Sequence, residues 1–364
     1  MRKWRKLSKV LYLFIICIVV LFGCSRTRII DKISIIHVFG FDQAEDGQII
    51  GTALTPEYTK SKDSSQINYL QEKAETTALI LPKMAAQTST PVEIAKIRVI
   101  IFGNELAKQG IQKMVDRFIV TPQLGTHIQI AVSTRSARET MKIFKQEKSL
   151  TLAERLEHNM IGQNLPKMTL HRFLNNFYGE GMDAYVPMLT INEKYKVTID
   201  GIGVFKDDKL KLHLNPEQTF LFSILQDFRN QGTFKIDFDD KEAKEFLTVR
   251  AFRSMPDWKW DQNMQELLLN LKLEWTLVQY PKRFNVGNPE DVRNMKKIIN
   301  EKLEEKLADL METFKKNEVD PIGIGNIVRS QDRTWNEDSF YKQYPNLPIK
   351  VKVDFQIIHT GLDS

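Results

Sequence analysis

The residue best placed to do chemistry is Cys24. It closes the run Leu21-Phe22-Gly23-Cys24. A large aliphatic residue, a small residue and then cysteine form the acceptor pattern of lipid modification. The thiolate is the nucleophile that takes up the diacylglycerol, which is why no other side chain replaces it. The preceding residues supply the context. Met1 to Lys9 carries five cations (Arg2, Lys3, Arg5, Lys6, Lys9) and no acid, and the 13 residues from Val10 to Phe22 are almost wholly apolar. A basic region, an apolar region and a small-residue cleavage site are the anatomy of an export signal. A helix of that length spans about 20 Å, short of the ~30 Å hydrocarbon core. Cleavage between Gly23 and Cys24 is therefore expected, leaving a cysteine with S-diacylglycerol and N-acyl groups of the palmitate class. The competing reading is an ordinary secreted protein with an incidental cysteine. Cys17, flanked by Phe14 and Ile16, does not fit the acceptor pattern.

Other chemistry was sought and weighed. The six histidines stand at 37, 127, 158, 171, 213 and 359. None makes HExxH or another metal-ligand spacing. His37, His127 and His359 fall in or at the ends of predicted strands and are expected to be structural. Gly201-Ile202-Gly203 and Gly323-Ile324-Gly325 are two-glycine fragments of no nucleotide fingerprint, and they read as turn or bulge glycines. No GxSxG and no Walker A motif occurs, and both cysteines lie at or before residue 24. The carboxylates are plentiful but scattered, so no acid–base pair can be chosen. No catalytic residue, metal site or cofactor is expected, and the chain reads as non-enzymatic.

The totals bound the rest. The chain of 364 residues has 52 Lys+Arg against 46 Asp+Glu, a net +6. Removing the five cations of the leader leaves 47 against 46, a net +1. A near-neutral mature chain gives no global electrostatic case for nucleic acid. About 340 mature residues, 27% charged and 42% hydrophobic over the whole chain, suffice for two or three domains with proper cores. Beyond the leader, no apolar run reaches the ~18 residues of a membrane helix. The body is expected outside the bilayer, tethered at one end.

The elements that must position any site follow from hydrophobic period. Ile33 to Phe39 reads as a strand ending at Gly40, with Gln48 to Leu54 as its hairpin partner across Asp46-Gly47. Thr59 to Gln66 reads as a polar loop, and Thr76 to Ala86 as a helix around Pro82. Ile97 to Phe102 and His127 to Val132 are apolar strands. Glu105 to Phe118 is one helix, and Ser136 caps another through Phe144. Leu152 to Ile161 and Leu170 to Phe177 are shorter helices, and Tyr185 to Ile191 is a strand. Beyond a polar stretch at 192–196, Thr198 to Phe205 and Leu210 to Leu214 form a hairpin. Pro216 opens a helix to about Phe228, and Phe234 to Phe238 is a strand. Leu267 to Val278 alternates, the mark of a half-buried antiparallel strand. Asn288 caps a helix of about 25 residues, with Val292, Met295, Ile299, Leu303, Leu307, Leu310 and Phe314 in one stripe and a solvated Lys/Glu face. Ile349 to Ile357 is a final strand. The aromatic stretch of Phe252, Trp258, Trp260 and Trp275 is expected to pack in the core. The fold class is α/β of mixed α+β character: mixed and antiparallel sheets packed with helices. The expected divisions are a signal peptide at 1–23, an N-terminal α/β domain at 24–195 and a C-terminal α+β domain at 196–364, itself divisible near 280.

Several of these features occur together in a known order. They are the lipid-acceptor run, Ala95 through Gly110 (AKIRVIIFGNELAKQG), and Asp200 through Leu210 (DGIGVFKDDKL). The long helix with Asp320-Pro321-Ile322-Gly323 follows, and then Trp335 with Tyr344-Pro345-Asn346-Leu347-Pro348 and the strand to Val353, ending near Gly361. This pattern resembles the Ger(x)C family, lipoprotein C subunits of spore germinant receptors, over nearly the whole mature chain. It departs from the family where Ser25-Arg26-Thr27-Arg28-Ile29 stands in place of a tryptophan and an acidic stretch. The resemblance implies a non-enzymatic, lipid-anchored subunit on the outer face of the spore's inner membrane. Its implied partners are two integral-membrane receptor subunits (A- and B-type) and the bilayer, and its implied role is in the germination response to nutrients. The alternative is a lipid-tethered extracytoplasmic solute-binding protein, which predicts two similar lobes. A surface lipoprotein enzyme is the third reading, opposed by the missing motifs.

Overall fold

The computed structural model describes Trp4 and residues 33–57, 66–121, 123–125, 127–147, 151–162, 165–226, 232–237 and 245–360. Its first half is organised by short strands that are apolar on both faces. In β6 (Val99–Phe102) every side chain is at most 1% exposed. Such strands belong in the middle of a parallel sheet with helices on both sides. β6 pairs in parallel with β2 (Val38–Gln43) and β7 (Gln129–Ser133), and β7 pairs in parallel with β8 (Tyr185–Ile191). Antiparallel wings extend this centre. β3 (Ile49–Glu57) and β4 (Gln66–Ala74) lie on one side, β9 (Val197–Lys206) and β10 (Lys209–Leu214) on the other. The order across the eight-stranded sheet is β10-β9-β8-β7-β6-β2-β3-β4. A separate parallel pair joins β1 (Ser34–Ile35) to β5 (Val92–Glu93).

The connections carry α1 (Thr77–Ala85), α2 (Asn104–Gln109), α3 (Gln112–Ile119), α4 (Ala137–Gln146), α5 (Leu152–Ile161) and α6 (Leu170–Tyr178). Ser136 caps α4 as expected, its hydroxyl accepting from the Glu139 N–H at 3.2 Å. Buried Asp42 of β2 adds to this cap, taking the Ala137 and Arg138 N–H groups at 2.7 and 2.8 Å. The strand expected to stop at Gly40 runs through it to Gln43, held by pairing with β3 and β6; the glycine makes room for α4, which sets Met141 and Ala137 where a Cβ would stand.

The single helix expected over 105–118 is two. The break is at Gly110, whose φ of +134° is one that L side chains rarely adopt. The cause lies a hundred residues away, in the β9–β10 turn. The Asp208 carbonyl accepts the Ile111 N–H at 2.9 Å and its carboxylate accepts the Gln112 N–H at 3.3 Å. These bonds satisfy two of the orphan donors at the start of α3.

The boundary expected at 192–196 falls in the β8–β9 turn, inside the eight-stranded sheet. The second half has its own four-stranded sheet, order β11-β12-β13-β14, from β11 (Thr233–Asp237), β12 (Phe246–Asp261), β13 (Glu266–Gln279) and β14 (Ile349–Thr360). β13 alternates as expected, with Leu267, Leu269, Leu271, Leu273, Trp275 and Leu277 buried; it is antiparallel only to β12 and pairs in parallel with β14. The long helix is α8 (Pro289–Lys316), and its stripe from Met295 to Phe314 is buried. Val292, the first member of the expected stripe, remains partly exposed. α7 (Pro216–Ile224), closed by an Asn215–Gln218 capping box, is buried from Thr219 to Ile224. A helix apolar on all sides must sit between layers. Phe222 meets Tyr185 of the first sheet, and Phe220 stacks on Phe234 of the second at 4.7 Å.

β12 escaped the sequence reading. Its register shifts between Ala251 and Arg253, and the bulged Phe252 is 55% exposed. The bulge breaks the alternation that marks a strand. Of the aromatic stretch, Trp275 is core, Trp258 and Trp260 are half-buried and Phe252 faces solvent. The loop expected at 59–66 lies outside the described residues except Gln66, which opens β4.

Gly110→Ala should destabilise the fold by about 2 kcal/mol, since the new Cβ meets both strain and the Asp208 carboxylate. Gly125→Ala, with nothing within 4 Å of its added Cβ, should stay within about 0.5 kcal/mol. Urea unfolding of the two variants checks the contrast.

Candidate functional site

The densest polar constellation lies where the two halves meet. From the first half come Gly181 and Asp183, just before β8, and Lys206 at the end of β9. From the second come Asp320, Gly323 and Gly325 around the start of α9 (Ile324–Gln331), and Glu337 and Tyr341 of α10 (Glu337–Gln343).

Asp320 is fully buried. One carboxylate oxygen accepts the Gly323 and Ile324 N–H groups at 2.9 and 2.8 Å. The other accepts the Gly325 N–H at 2.8 Å and the Tyr341 hydroxyl at 3.1 Å. The side chain therefore takes over the orphan donors of α9, whose positive end favours an anion. Gly323 caps the helix with φ +82°, a conformation that suits glycine. Asp183 repeats the motif across the junction. Its carboxylate accepts the Asp320 N–H at 2.6 Å, and its own N–H donates to the Asp320 carbonyl at 2.9 Å.

Other contacts seal the seam. Lys206 Nζ lies 3.3 Å from Asp183 and 4.4 Å above the Tyr341 ring. The Gly181 N–H donates to Glu337 at 2.9 Å, and its carbonyl accepts the Asn326 N–H at 2.9 Å. Gly181 and Gly325 pass so closely that a Cβ on Gly325 would stand 2.8 Å from the Gly181 Cα.

Burial governs the electrostatics. It pushes Asp320 up to about 6 against the pull of its donors, and the charge of Asp183 adds to the rise. Burial also raises Asp183, opposed by Lys206. Tyr341 is driven far above the usual phenol range by burial and by both carboxylates. These carboxylates already hold backbone donors, so the arrangement fastens rather than transfers protons. An open polar cleft of about 680 Å³ adjoins the seam, reached by Glu180, Asp207, Glu318 and Lys342.

A second feature lies in the first half. A cavity of about 470 Å³ opens between α1, α3, β2 and β5–β6. Its inner wall is Phe39, Phe41, Ile100, Met114 and Phe118. Phe41, Phe102 and Phe118 continue that wall as a stacked series at 6.0 and 6.2 Å.

Cys24 and the leader, Trp4 apart, lie outside the described residues. The histidines are not brought together, and among the described residues no group of three His, Cys, Asp or Glu is arranged to hold a metal ion. His37 is half-buried and held below the usual imidazole range by burial, while His127 is exposed. Gly201 has φ +82°, a conformation open to glycine, beside a register shift between β8 and β9. Sequence reasoning missed the Asp183–Asp320 pair. One signal was present: Asp320 precedes Gly323-Ile324-Gly325 at the spacing of a carboxylate that caps the next helix.

Asp320→Ala strands three backbone donors and one hydroxyl, and should cost at least about 3 kcal/mol at pH 7. The folded state keeps the Asp320 proton up to about pH 6, whereas the unfolded chain releases it near 3.8. The stability linked to this group is fully present below that lower value and is lost as pH rises through about 6, a span of about 3 kcal/mol. The gap between parent and variant should therefore be wider at pH 4.5 than at pH 7 in chemical unfolding. A gap that narrows on acidification would contradict the raised value.

The comparisons agree with this architecture. The spore germination protein N-terminal domain model matches residues 26–191, and the Spore germination B3/GerAC-like C-terminal model matches residues 200–361. Spore germination protein GerQC of Bacillus cereus is 27% identical, over 96% of this chain and 98% of its own length. Spore germination protein KC of Bacillus subtilis (strain 168) is 23% identical, over 96% and 95%. The crystal structure of the GerBC protein shares the fold, with a TM-score of 0.59 at 16% identity over 88% of this chain and 96% of that one. With both halves matched in order across nearly the whole chain, the protein belongs to the Ger(x)C family of spore germination proteins.

Proposed function

We propose that this protein is a lipid-anchored, non-enzymatic subunit of a membrane germinant-receptor complex. Family membership carries a role in spore germination. The observation that supports the finer reading is the acceptor run Leu21-Phe22-Gly23-Cys24 behind a basic and apolar leader, with the family match beginning at residue 26. Cleavage before Cys24 and acylation of its sulfur and new amino group hold the body at the membrane. Two or more acyl chains anchor durably where one is marginal. No helix among the described residues is long and apolar enough to cross a membrane. The body then works on the outer face of the spore inner membrane beside A- and B-type integral-membrane subunits, in the response to nutrients.

The solute-binding alternative needs two like lobes closing on a ligand. Here one half holds eight strands in a mixed sheet and the other a four-stranded sheet of different order. The junction between them is bolted by buried carboxylates rather than hinged. Calorimetry on the isolated protein should accordingly show no tight binding of amino acids, sugars or nucleosides.

Cys24→Ser should remove the acyl mass, move the protein from the membrane to the soluble fraction and reduce nutrient germination to the level of a deletion strain. In the parent, affinity capture from detergent-solubilised spore membranes should bring down two multi-span proteins. Full germination by a non-acylated, soluble Cys24→Ser protein would overturn the anchored-subunit reading.

A further inference from the structure

Resting on the anchored reading above, we propose that the apolar cavity of the first half faces the bilayer and takes up lipid acyl chains. The cavity floor is aromatic and aliphatic, and its rim mixes Thr77, Glu93, Thr121 and Gln123 with aliphatic side chains. Val120 lines it and is 65% exposed, and the adjacent Ile119 is 56% exposed. Across the opening, α1 contributes exposed Ala78 and partly buried Leu81 to the lining. Large exposed aliphatic side chains beside a cavity with such a floor mark an interaction site. Arg117 stands at the same mouth, one helical position from Phe118. Its aliphatic stem can lie along the wall while the guanidinium sits at headgroup level.

The occupant follows from where the anchor enters. The Ser34 N–H donates to the Pro91 carbonyl at 2.8 Å and the Ile36 N–H to the Glu93 carbonyl at 2.9 Å. β1 is thereby fixed against Val92 and Glu93, which themselves line the cavity. Nine residues separate Cys24 from Ser34. Ten peptide steps reach at most about 35 Å. A body of this size has a radius of gyration of about 20 Å and a diameter of about 50 Å. The tether is shorter than the body, so the end bearing β1, β5 and the cavity mouth is the end held toward the lipid. An acylated Cys24 keeps a hydrocarbon phase within reach of that opening.

The test uses the full-length acylated protein in phosphatidylglycerol vesicles, with and without brominated acyl chains. Val120→Cys and Ala78→Cys each carry an environment-sensitive fluorophore, Cys24 being blocked by its lipid. Met264→Cys, 67% exposed in the β12–β13 turn, is the reference position. Labels at 120 and 78 should shift to shorter wavelength and lose at least about twofold of their emission to brominated chains, as for side chains about 5–10 Å below the headgroups. The label at 264 should remain aqueous. Mass spectrometry of the same sample separates the two readings. If Cys24 is acylated and the protein floats with vesicles while positions 120 and 78 stay aqueous, the proposal fails and the anchor stands. If no acyl mass is found, the anchor fails and the tether argument goes with it. Equal quenching at 264 overturns the assignment of this face. Shielding that appears only in native spore membranes, and not in pure lipid, overturns it in favour of a protein partner.

Discussion

One buried carboxylate builds the second half's face of the junction, and a second clamps that face to the first half. Asp320 has no solvent and four donors, three of them successive backbone N–H groups at the start of α9. That geometry fixes where α9 begins, and with it the placement of Tyr341 and Glu337. Asp183 then grips the Asp320 backbone from the other side of the seam. Gly181, Gly323 and Gly325 are the consequence, because side chains there would force the backbones apart or demand a strained conformation. Leaving any of these donors unmet in a dry interior costs more than making the bond returns, so the network is held as a unit.

Apolar packing does the complementary part. α7 carries aromatic side chains toward both sheets, and Phe222 also reaches Phe314 of the long helix. The sheet edges are then closed by side chains. Lys83 and Gln87 bond the carbonyls of Lys73 and Gln71 on β4. Gln331 bridges Trp258 and Trp260 on β12. Glu304 and Asn300 of α8 take the Val353 and Phe355 N–H groups of β14. Open edges invite pairing with other chains, and these contacts blunt them.

A body whose buried carboxylates are spent on fastening is suited to transmit position. Its role in germination is then to be sought on its surfaces. The exposed aliphatics at 119 and 120 stand out for that reason.

What the sequence by itself determined was local. Period and caps placed the Tyr185–Ile191 strand, α5, β13 and the stripe of α8 with little error, because a half-buried element writes its own alternation. The lipid-acceptor run and the ordered motifs were enough to place the chain in its family. Tertiary structure decided the rest. Asp208 splits a helix at Gly110, and the Phe252 bulge hides β12, each through a contact or shift that residue type does not announce. The Asp320 turn was visible as Asp-Pro-Ile-Gly, but its partner Asp183 stands 137 residues earlier. Carboxylates are common on any surface. Burial sets Asp42, Asp183, Glu266 and Asp320 apart from the other described carboxylates, and burial is a property of the folded whole.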